Sequence, residues 1–296
     1  ISKGLVGSEM CIRDRKKPML AYPVSDKPID YTKPTFIQPK LDGVRCLIQY
    51  EQVTPLQTGP VAYSRTGKVW KNIDHILESL RPFFNKYPDV ILDGELYNHD
   101  LRDDFEKIIS LVRKTKPTDE DRSEARKLVQ FHCYDIVDET MPFAERDKFI
   151  LQAVYNNYDY VRILPCQLVT SEDAAKKIHK YNLKAGFEGS ILRSNNKYQC
   201  KRSHALRKFK DFSDAEATIV GYLDGKGKRT GTLGKFIMQD DNGVEFGCPP
   251  GKGYNYKQLA TMLENIGDYI GQRATFTFFE RTKAGSYRHP LFKCIR

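Results

Sequence analysis

The chain has 296 residues, of which 40% are hydrophobic, and it carries a formal net charge of +10. This length gives room for one large and one small domain. A mean hydropathy of −0.56 and the lack of any run of about 20 apolar residues argue against a membrane protein. The basic excess favours a polyanionic partner, because Lys and Arg release counterions when they neutralise phosphates. A basic enzyme without such a partner fits the composition equally well.

The seven cysteines are dispersed, with no C-x-x-C pair and no histidine spacing suited to zinc. An odd, scattered set predicts free thiols in a reducing compartment, and therefore a cytoplasmic protein without structural zinc. Residues 1–15 resemble translated adaptor sequence and lack the apolar core of a signal peptide. We predict that they form a non-native or disordered leader outside the fold.

Short strand patterns alternate with amphipathic helix patterns from residue 16 to residue 212. Helix patterns begin at Asn72, near Asp104 and at Ser171, a good N-cap. The charged stretch Arg113–Arg126 is expected to be a solvated loop or an exposed helix. The strand patterns, rich in β-branched and aromatic residues, are Gly43–Tyr50, Val61–Ser64, Val90–Tyr97, Gln130–Val137 and Gly189–Arg193. This alternation predicts an α+β domain.

The composition changes after residue 212, where short strands with glycine-rich turns follow one another. One helix pattern, Tyr256–Ile266, interrupts them. The strand patterns are Glu216–Tyr222, Gly234–Asp240, Val244–Gly247 and Arg273–Glu280. A five-stranded barrel of the OB type fits this pattern, and a small SH3-like barrel fits it nearly as well.

The sharpest chemical feature is the segment Lys40–Arg45, KLDGVR, directly after Pro39. Proline blocks helix continuation and Gly43 allows a close backbone approach, which predicts Lys40 at a strand end beside a cleft. A lysine nucleophile must lose its proton, and nearby cations or a metal ion could lower the ordinary lysine pKa of about 10.4. Taken alone, so short a segment would more often be a surface turn with a salt bridge.

Six segments resemble, in order, the motifs of the covalent nucleotidyltransferases, the superfamily of ATP-dependent DNA ligases, RNA ligases and mRNA capping enzymes. They are Lys40–Arg45, Ser64–Lys68, Asp93–Tyr97, Phe131–Asp135, Phe187–Arg193 and Leu206–Lys210. The resemblance covers most of residues 18–296, and the order and spacing argue against coincidence. It implies a nucleotidyltransferase (adenylation) domain over residues 16–212, with antiparallel sheets and flanking helices, followed by a small OB-fold β-barrel over residues 213–296.

The resemblance also implies a reaction centre. Lys40 is expected to attack the α-phosphate of ATP, expel pyrophosphate and carry AMP as a phosphoramidate. Glu95 and Glu188 are expected to bind Mg²⁺, for which Mn²⁺ can substitute, since hard oxygen ligands suit such ions. In the family the position of Glu95 also contacts the ribose. Either acid, taken singly, would more often be an ordinary surface carboxylate.

Other residues are assigned to the nucleotide. Lys208 and Lys210 alternate on a predicted strand, so we expect both on the same side, where they would neutralise charge at the reacting phosphate. Tyr134 lies where the family places an aromatic ring against adenine, with core packing as the alternative. Gln38 is expected to contact the adenine edge.

Four further residues take roles by motif position alone. Arg45 is expected on the ribose and Arg65 on the 5′-phosphate at a nick, because a guanidinium donates two hydrogen bonds at once. Asp42 matches an acid that lies near the 3′-hydroxyl in ligases. Asp93 is expected to support the site.

The second half of the chain separates the branches of the superfamily. Thr232–Phe236 and Val244–Phe246 resemble the OB opening of DNA ligases, while Lys17–Ala21 and Asp211–Gly221 resemble small viral and phage-type DNA ligases. Capping enzymes use GTP, and RNA ligases often carry other C-terminal domains. We therefore predict an ATP-dependent DNA ligase that seals 5′-phosphate/3′-hydroxyl nicks in duplex DNA, through lysyl-AMP and an adenylated DNA end. An RNA ligase and a capping enzyme are the alternatives, and an idle OB-containing nucleic-acid binder is the alternative of another class.

The last motif of the family, Arg-x-Asp-Lys, orients the pyrophosphate, and Arg296 stands where its arginine is expected. If that motif is incomplete, lysine adenylylation should suffer more than sealing of a pre-adenylated nick. The loop residues Lys226, Lys228 and Arg229 are expected to clamp the DNA backbone, although a solvated basic loop is equally consistent. The predicted partner is nicked duplex DNA, bound by a monomer in the cytoplasm of a bacterium or of a virus- or phage-infected host.

Overall fold

The computed structural model describes residues 16–102, 104–155, 158–251, 253–282 and 285–296. The chain divides into two units, and the second runs from Lys210 to Arg296. The predicted leader, residues 1–15, lies outside the described residues. The predicted domain limits at residues 212 and 213 stay a prediction.

The first unit alternates strands and helices. Its strands are β1 Leu20–Pro23, β2 Thr35–Lys40, β3 Val44–Thr54, β4 Gln57–Tyr63, β5 Leu92–Tyr97, β6 Gln130–Ile136, β7 Val161–Ile163, β8 Gln167–Val169, β9 Gly189–Ser194 and β10 Arg202–Phe209. Its α-helices are α1 Asp74–Ser79, α2 Arg81–Lys86, α3 Phe105–Val112, α4 Asp119–Leu128, α5 Phe143–Ala153 and α6 Glu172–Lys184. The five predicted strands of this part are present, with ends that shift by a few residues.

Two five-stranded sheets organise this unit, in the orders β1-β10-β9-β2-β8 and β4-β3-β5-β6-β7. Most neighbouring strands are antiparallel, and the pairs β1–β10 and β6–β7 are parallel. The largest apolar core contains side chains from the second sheet and from helices α1 to α5, among them Phe83, Phe84, Phe131 and Ile150. The α+β prediction with antiparallel sheets is confirmed.

Local sequence explains where the helices begin. Ser171 caps α6, since its side chain accepts a hydrogen bond from the amide of Ala174. For the charged stretch Arg113–Arg126 the sequence left two alternatives, a loop or an exposed helix, and the structure shows a helix. Helix α4 begins there because Thr118 and Asp121 form a capping box at its start. Helix α5 was missed by the sequence reading, since it follows Pro142 without a polar cap.

The described elements of the second unit are β11 Ser213–Asp224, β12 Leu233–Gln239, β13 Glu245–Cys248, α7 Tyr256–Glu264, β14 Arg273–Phe278, β15 Glu280–Arg281, β16 Tyr287–Arg288 and β17 Leu291–Ile295. Five of the strands form a sheet in the order β13-β12-β11-β14-β17, and β15 and β16 form a two-stranded ladder. Within the described part of the chain, the edge strands β13 and β17 do not form a continuous ladder. A single parallel bridge between Pro250 and Phe292 connects the two edges. The predicted barrel is therefore an open one.

Among the described residues, no helix has both the length and the apolar character that crossing a bilayer requires.

Candidate active site

A cleft of about 210 Å³ opens in the first unit, between the two sheets. Strands β2, β9 and β10 supply one side, and β3, β5 and β6 supply residues of the other. The lining residues are Leu20, Ala21, Gln38, Pro39, Lys40, Leu41, Arg45, Arg65, Glu95, Tyr134, Leu164, Ile191, Arg193, Leu206 and Lys208. The cleft thus brings together seven of the residues that the sequence assigned to the nucleotide, the metal or the DNA.

Lys40 is the last residue of β2, as the sequence predicted, and it lies at the cleft wall. The antiparallel register pairs Lys40 with Gly189, and the amide of Glu188 donates to the Lys40 carbonyl at 3.0 Å. This pairing brings the two side chains together, and Lys40 Nζ forms a salt bridge with the Glu188 carboxylate. The Glu188 side chain is 4% exposed and that of Lys40 is 23% exposed. The amine is therefore held by a buried carboxylate and remains partly open to the cleft.

Gly43 allows a close approach that no other residue would permit. A Cβ atom at this position would lie 2.5 Å from Cγ of Glu95 and 2.6 Å from the backbone oxygen of Leu96. Because β3 begins at the next residue and pairs with β5, this contact sets how closely the lysine loop approaches the Glu95 side chain. The glycine of the KLDGVR segment is thus a packing requirement of the site.

Glu95 lies on β5 opposite Arg45 of β3. The hydroxyl of Tyr134 donates to Glu95 Oε2 at 3.0 Å. Burial raises the pKa of the Glu95 carboxyl, while the positive charges of Arg45 and Lys40 act in the opposite direction. Glu95 is therefore the carboxyl group of the cleft lining, with the Tyr134 hydroxyl and two cationic side chains around it.

Arg45 is fixed by a second, fully buried acid. Its Nε and Nη2 donate to the two carboxylate oxygens of Asp93 at 2.6 and 2.5 Å. Asp93 also accepts from the hydroxyl of Tyr198 at 2.7 Å. A bidentate pair of this kind fixes the direction of the guanidinium, so Asp93 orients Arg45 at the cleft wall.

Tyr134 presents its ring to the cleft between two arginines. The guanidinium carbons of Arg45 and Arg193 lie 5.2 and 5.4 Å from the ring centroid. Tyr134 also packs with Leu41, Tyr97 and Leu164. It is therefore a core residue that also lines the cleft, and its contact with adenine stays a prediction.

Cationic side chains outnumber carboxylates in the lining of the cleft. Of the described residues that line it, five are cationic and one, Glu95, carries a carboxylate. The cationic residues are Lys40, Arg45, Arg65, Arg193 and Lys208. Three of them pair with acids behind the wall, Glu188, Asp93 and Asp135, so the net positive charge is modest. Clefts focus the field of the charges around them, and this excess favours an anionic ligand.

Several assigned residues lie outside the cleft lining. Asp42 follows Lys40 in the loop before β3 and is partly exposed. Strand β10 ends at Phe209, so the prediction that one strand carries both Lys208 and Lys210 was wrong. Lys210 belongs to the second unit, where its Nζ lies 4.3 Å from the ring centroid of Phe279. The end of the strand coincides with the boundary between the units, which explains the error.

The remaining assigned residues also belong to the second unit. Lys226, Lys228 and Arg229 occupy an exposed loop with a short 3-10 helix, directly after β11. Arg296 forms a salt bridge with Glu216 and is exposed.

The described residues contain no cluster of three or more His, Cys, Asp or Glu side chains that could hold a metal ion. Glu95 and Glu188 both lie near Lys40. Two hard carboxylates suit Mg²⁺, an ion that keeps several waters and takes few protein ligands. The pair is therefore a chemically suitable partial coordination set.

Comparison with known proteins gives the family. The model of the ATP-dependent DNA ligase domain matches residues 18–210. The chain belongs to this ATP-dependent DNA ligase family. The model of the DNA ligase OB-like domain matches residues 224–296. The family predicted from the motifs is confirmed, as is the OB type of the second unit.

Relatives and solved structures agree with the family. A DNA ligase of African swine fever virus is 29% identical over 214 residues, which are 69% of this chain and 48% of that protein. A DNA ligase of Haemophilus influenzae is 26% identical over 284 residues, 93% of this chain and 90% of that protein. A solved Lig E DNA ligase has the same fold, with a TM-score of 0.74, 24% identity and coverage of 95% of this chain and 100% of the other. The chain spans about half the length of the viral relatives that it matches.

The ligase motifs missed one prominent cleft residue, Arg193. It is the last residue of the segment Phe187–Arg193, and the motif resemblance assigns it no role. Its side chain is 4% exposed and contacts Gln38 and Asp135. An arginine on a predicted buried strand was the available signal, because a buried guanidinium needs a charged partner.

Proposed function

We propose that this protein is an ATP-dependent DNA ligase that seals nicks with a 5′-phosphate and a 3′-hydroxyl. The observation that carries the proposal is the Lys40 amine, which lies on the wall of a cleft that Arg65 and Lys208 also line and which contacts the buried Glu188 carboxylate. Lys40 must lose a proton before its nitrogen can attack, and Glu188 is the carboxylate in contact with it. Cations on the wall would stabilise the charge of the phosphate under attack.

In the first step, the Lys40 amine attacks the α-phosphate of ATP, the P–N bond forms and pyrophosphate leaves with the electrons of the P–O bond. Lys208 and Arg65 supply positive charge along the cleft wall where the triphosphate binds. Tyr134 would provide the flat surface for adenine, and Arg45, which Asp93 holds, would contact the ribose. Lys210 and Arg296 stay predicted nucleotide-binding residues.

Glu95 and Glu188 would hold Mg²⁺, with Mn²⁺ as a substitute. Bound there, the ion supplies Lewis-acid stabilisation of phosphate charge. Lys40 contacts the same Glu188 carboxylate, which would bring the reacting nitrogen close to the ion.

In the second step, AMP passes from Lys40 to the 5′-phosphate of the nick, which Arg65 is proposed to bind with its planar fork. In the third step, the 3′-hydroxyl attacks that phosphate near Asp42, and AMP leaves. We propose that the protein acts as a monomer on nicked duplex DNA. The described cysteines are free thiols, which supports a reducing, cytoplasmic setting.

The test of the proposal is sealing of a labelled nicked duplex by the purified full chain. ATP with magnesium should give joined DNA, while GTP should not, which separates the ligase from a capping enzyme. A nicked RNA duplex in the same assay tests the RNA-ligase alternative. Binding of the nicked DNA without joining and without transfer of AMP to the protein would favour an idle nucleic-acid binder.

The basic loop of the second unit gives a separate prediction for DNA affinity. Lys226→Gln with Lys228→Gln should weaken binding of nicked DNA. The double variant loses about two phosphate contacts, so the slope of log K against log salt concentration should become less negative by roughly 1.8. The matched control is Lys177→Gln with Lys180→Gln on α6, which removes the same charge from exposed positions. Fluorescence anisotropy over a salt series measures the DNA-binding constant of each double variant. Equal slopes for the two double variants would mean that the loop is merely solvated.

A further inference from the structure

Gln38 and Arg193 form a buried polar pair in the wall of the cleft. Arg193 Nε donates to Gln38 Oε1 at 2.6 Å, and the two residues are 4% and 1% exposed. Since a guanidinium can only donate hydrogen bonds, the amide oxygen must face Arg193. The amide NH₂ then points away from the arginine. It lies 3.5 Å from the Leu164 carbonyl oxygen, a long contact that leaves donor capacity for a ligand.

The Arg193 guanidinium is itself held by a buried carboxylate, that of Asp135. Its Nη1 donates to Asp135 Oδ2 at 2.6 Å, and Asp135 is fully buried. Arg146 binds the same carboxylate at 2.7 Å through Nε. With its guanidinium pinned in this way, Arg193 has no freedom to follow a rotation of the Gln38 amide. The amide orientation is therefore set by the protein and not by the ligand.

Two groups of opposite character consequently stand side by side in the cleft lining, the donor NH₂ of Gln38 and the acceptor oxygen of Leu164. The neighbouring wall residue is Pro39, which has no backbone N–H to donate. Adenine offers the complementary pair on its Watson–Crick edge, an acceptor at N1 and a donor at the 6-amino group. Guanine and hypoxanthine offer the reverse, a donor at N1 and an acceptor at O6.

We propose that Arg193 is a positioning residue for nucleotide choice, which fixes the Gln38 amide so that Gln38 and the Leu164 carbonyl accept adenine and reject 6-oxopurines. This inference rests on the proposed function, since it concerns the base of the nucleotide that reacts with Lys40. A purine of the wrong type would leave buried donors facing donors, and such mismatches are costly.

The experiment compares ATP with inosine triphosphate, which differs at the 6-position and N1 alone. The full chain is incubated with each nucleotide, and the initial rate of label transfer to Lys40 is measured. The wild type should prefer ATP by on the order of 10- to 100-fold. In Arg193→Met the amide can rotate, and the preference should fall to about threefold or less. Arg193→Lys, which can still donate to the amide oxygen, should recover part of it.

Two further variants separate positioning from general damage. Arg162→Met removes an exposed arginine of β7 and should keep the wild-type preference. Gln38→Leu should lose the preference, and adding Arg193→Met to it should change the ratio no further, because both act through one amide. If Arg193→Met does not fold, the lysine and leucine variants carry the test.

Each remaining outcome has a definite meaning. Equal rates with ATP and inosine triphosphate in the wild type would overturn the inference and leave the proposed function intact. An equal fall of both rates in Arg193→Met, with an unchanged ratio, would also overturn it and make the arginine a support of the fold. A folded wild type that takes label from neither nucleotide would overturn the proposed function together with the inference.

Discussion

Lys40→Ala is expected to lower the rate of ATP-dependent nick sealing by on the order of 10³-fold or more, because the variant lacks the amine that receives AMP. The structure places that amine at the cleft wall, held by Glu188, while Gly43 keeps the following loop close to Glu95. The measurement is the single-turnover rate of sealing of a labelled nick at saturating ATP.

Two controls separate the nucleophile from its charge. Lys40→Arg keeps a cation for Glu188 but cannot supply a neutral amine, since a guanidinium is not deprotonated in proteins. It should be as inactive as the alanine variant. Lys33→Ala, at a side chain that is 79% exposed, should seal at the wild-type rate. Substantial sealing by Lys40→Arg would show that the residue contributes charge and is not the carrier of AMP.

Asp135→Ala is expected to lower the free energy of unfolding of the first unit by about 3–5 kcal/mol. Asp135 is fully buried and accepts from Arg146 and Arg193, which are 1% and 4% exposed. Removing the shared carboxylate leaves two buried guanidinium groups without their counter-charge. Such an effect is large beside the total stability of an ordinary domain.

Urea denaturation followed by tryptophan fluorescence measures this loss, because Trp70 is the single tryptophan of the chain and packs against the core of the first unit. Glu124→Ala, in the same unit, is the matched control. Glu124 forms an equally short pair with Lys107, at 2.6 Å, but its side chain is 42% exposed. Its removal should leave the midpoint nearly unchanged. Equal midpoints for Asp135→Ala and the wild type would contradict the view that the buried ion pairs of Asp135 contribute strongly to stability.

The motif chemistry could be predicted from sequence because each motif is short and lies at a strand end or in a turn. Pro39 and Gly43 predicted a strand end beside a cleft, and the structure places Lys40 there. Periodicity found most strands, and the Ser171 cap marked the start of α6. These features depend on local geometry, which the sequence specifies directly.

The rest depends on pairings between distant residues. The Arg193–Gln38 contact joins residues that are 155 positions apart, and it exists because β2 and β9 are neighbours in a sheet. No local sequence pattern predicts that β2 and β9 pair, or in which register they do so. Lys210 shows the same limit, since alternation along a strand predicts a shared face only as long as the strand continues, and β10 ends one residue earlier. Helix α5 lacked a polar cap, so its start gave no signal.

The carrier role of Lys40 is tested most directly by mass spectrometry of the full chain after incubation with ATP and magnesium. We expect one added AMP per chain, located on the peptide that contains Lys40, and we expect its loss with formation of adenylated DNA when nicked duplex is added. AMP found on a different residue, or an adduct on Lys40 that nicked DNA never removes, would contradict that role.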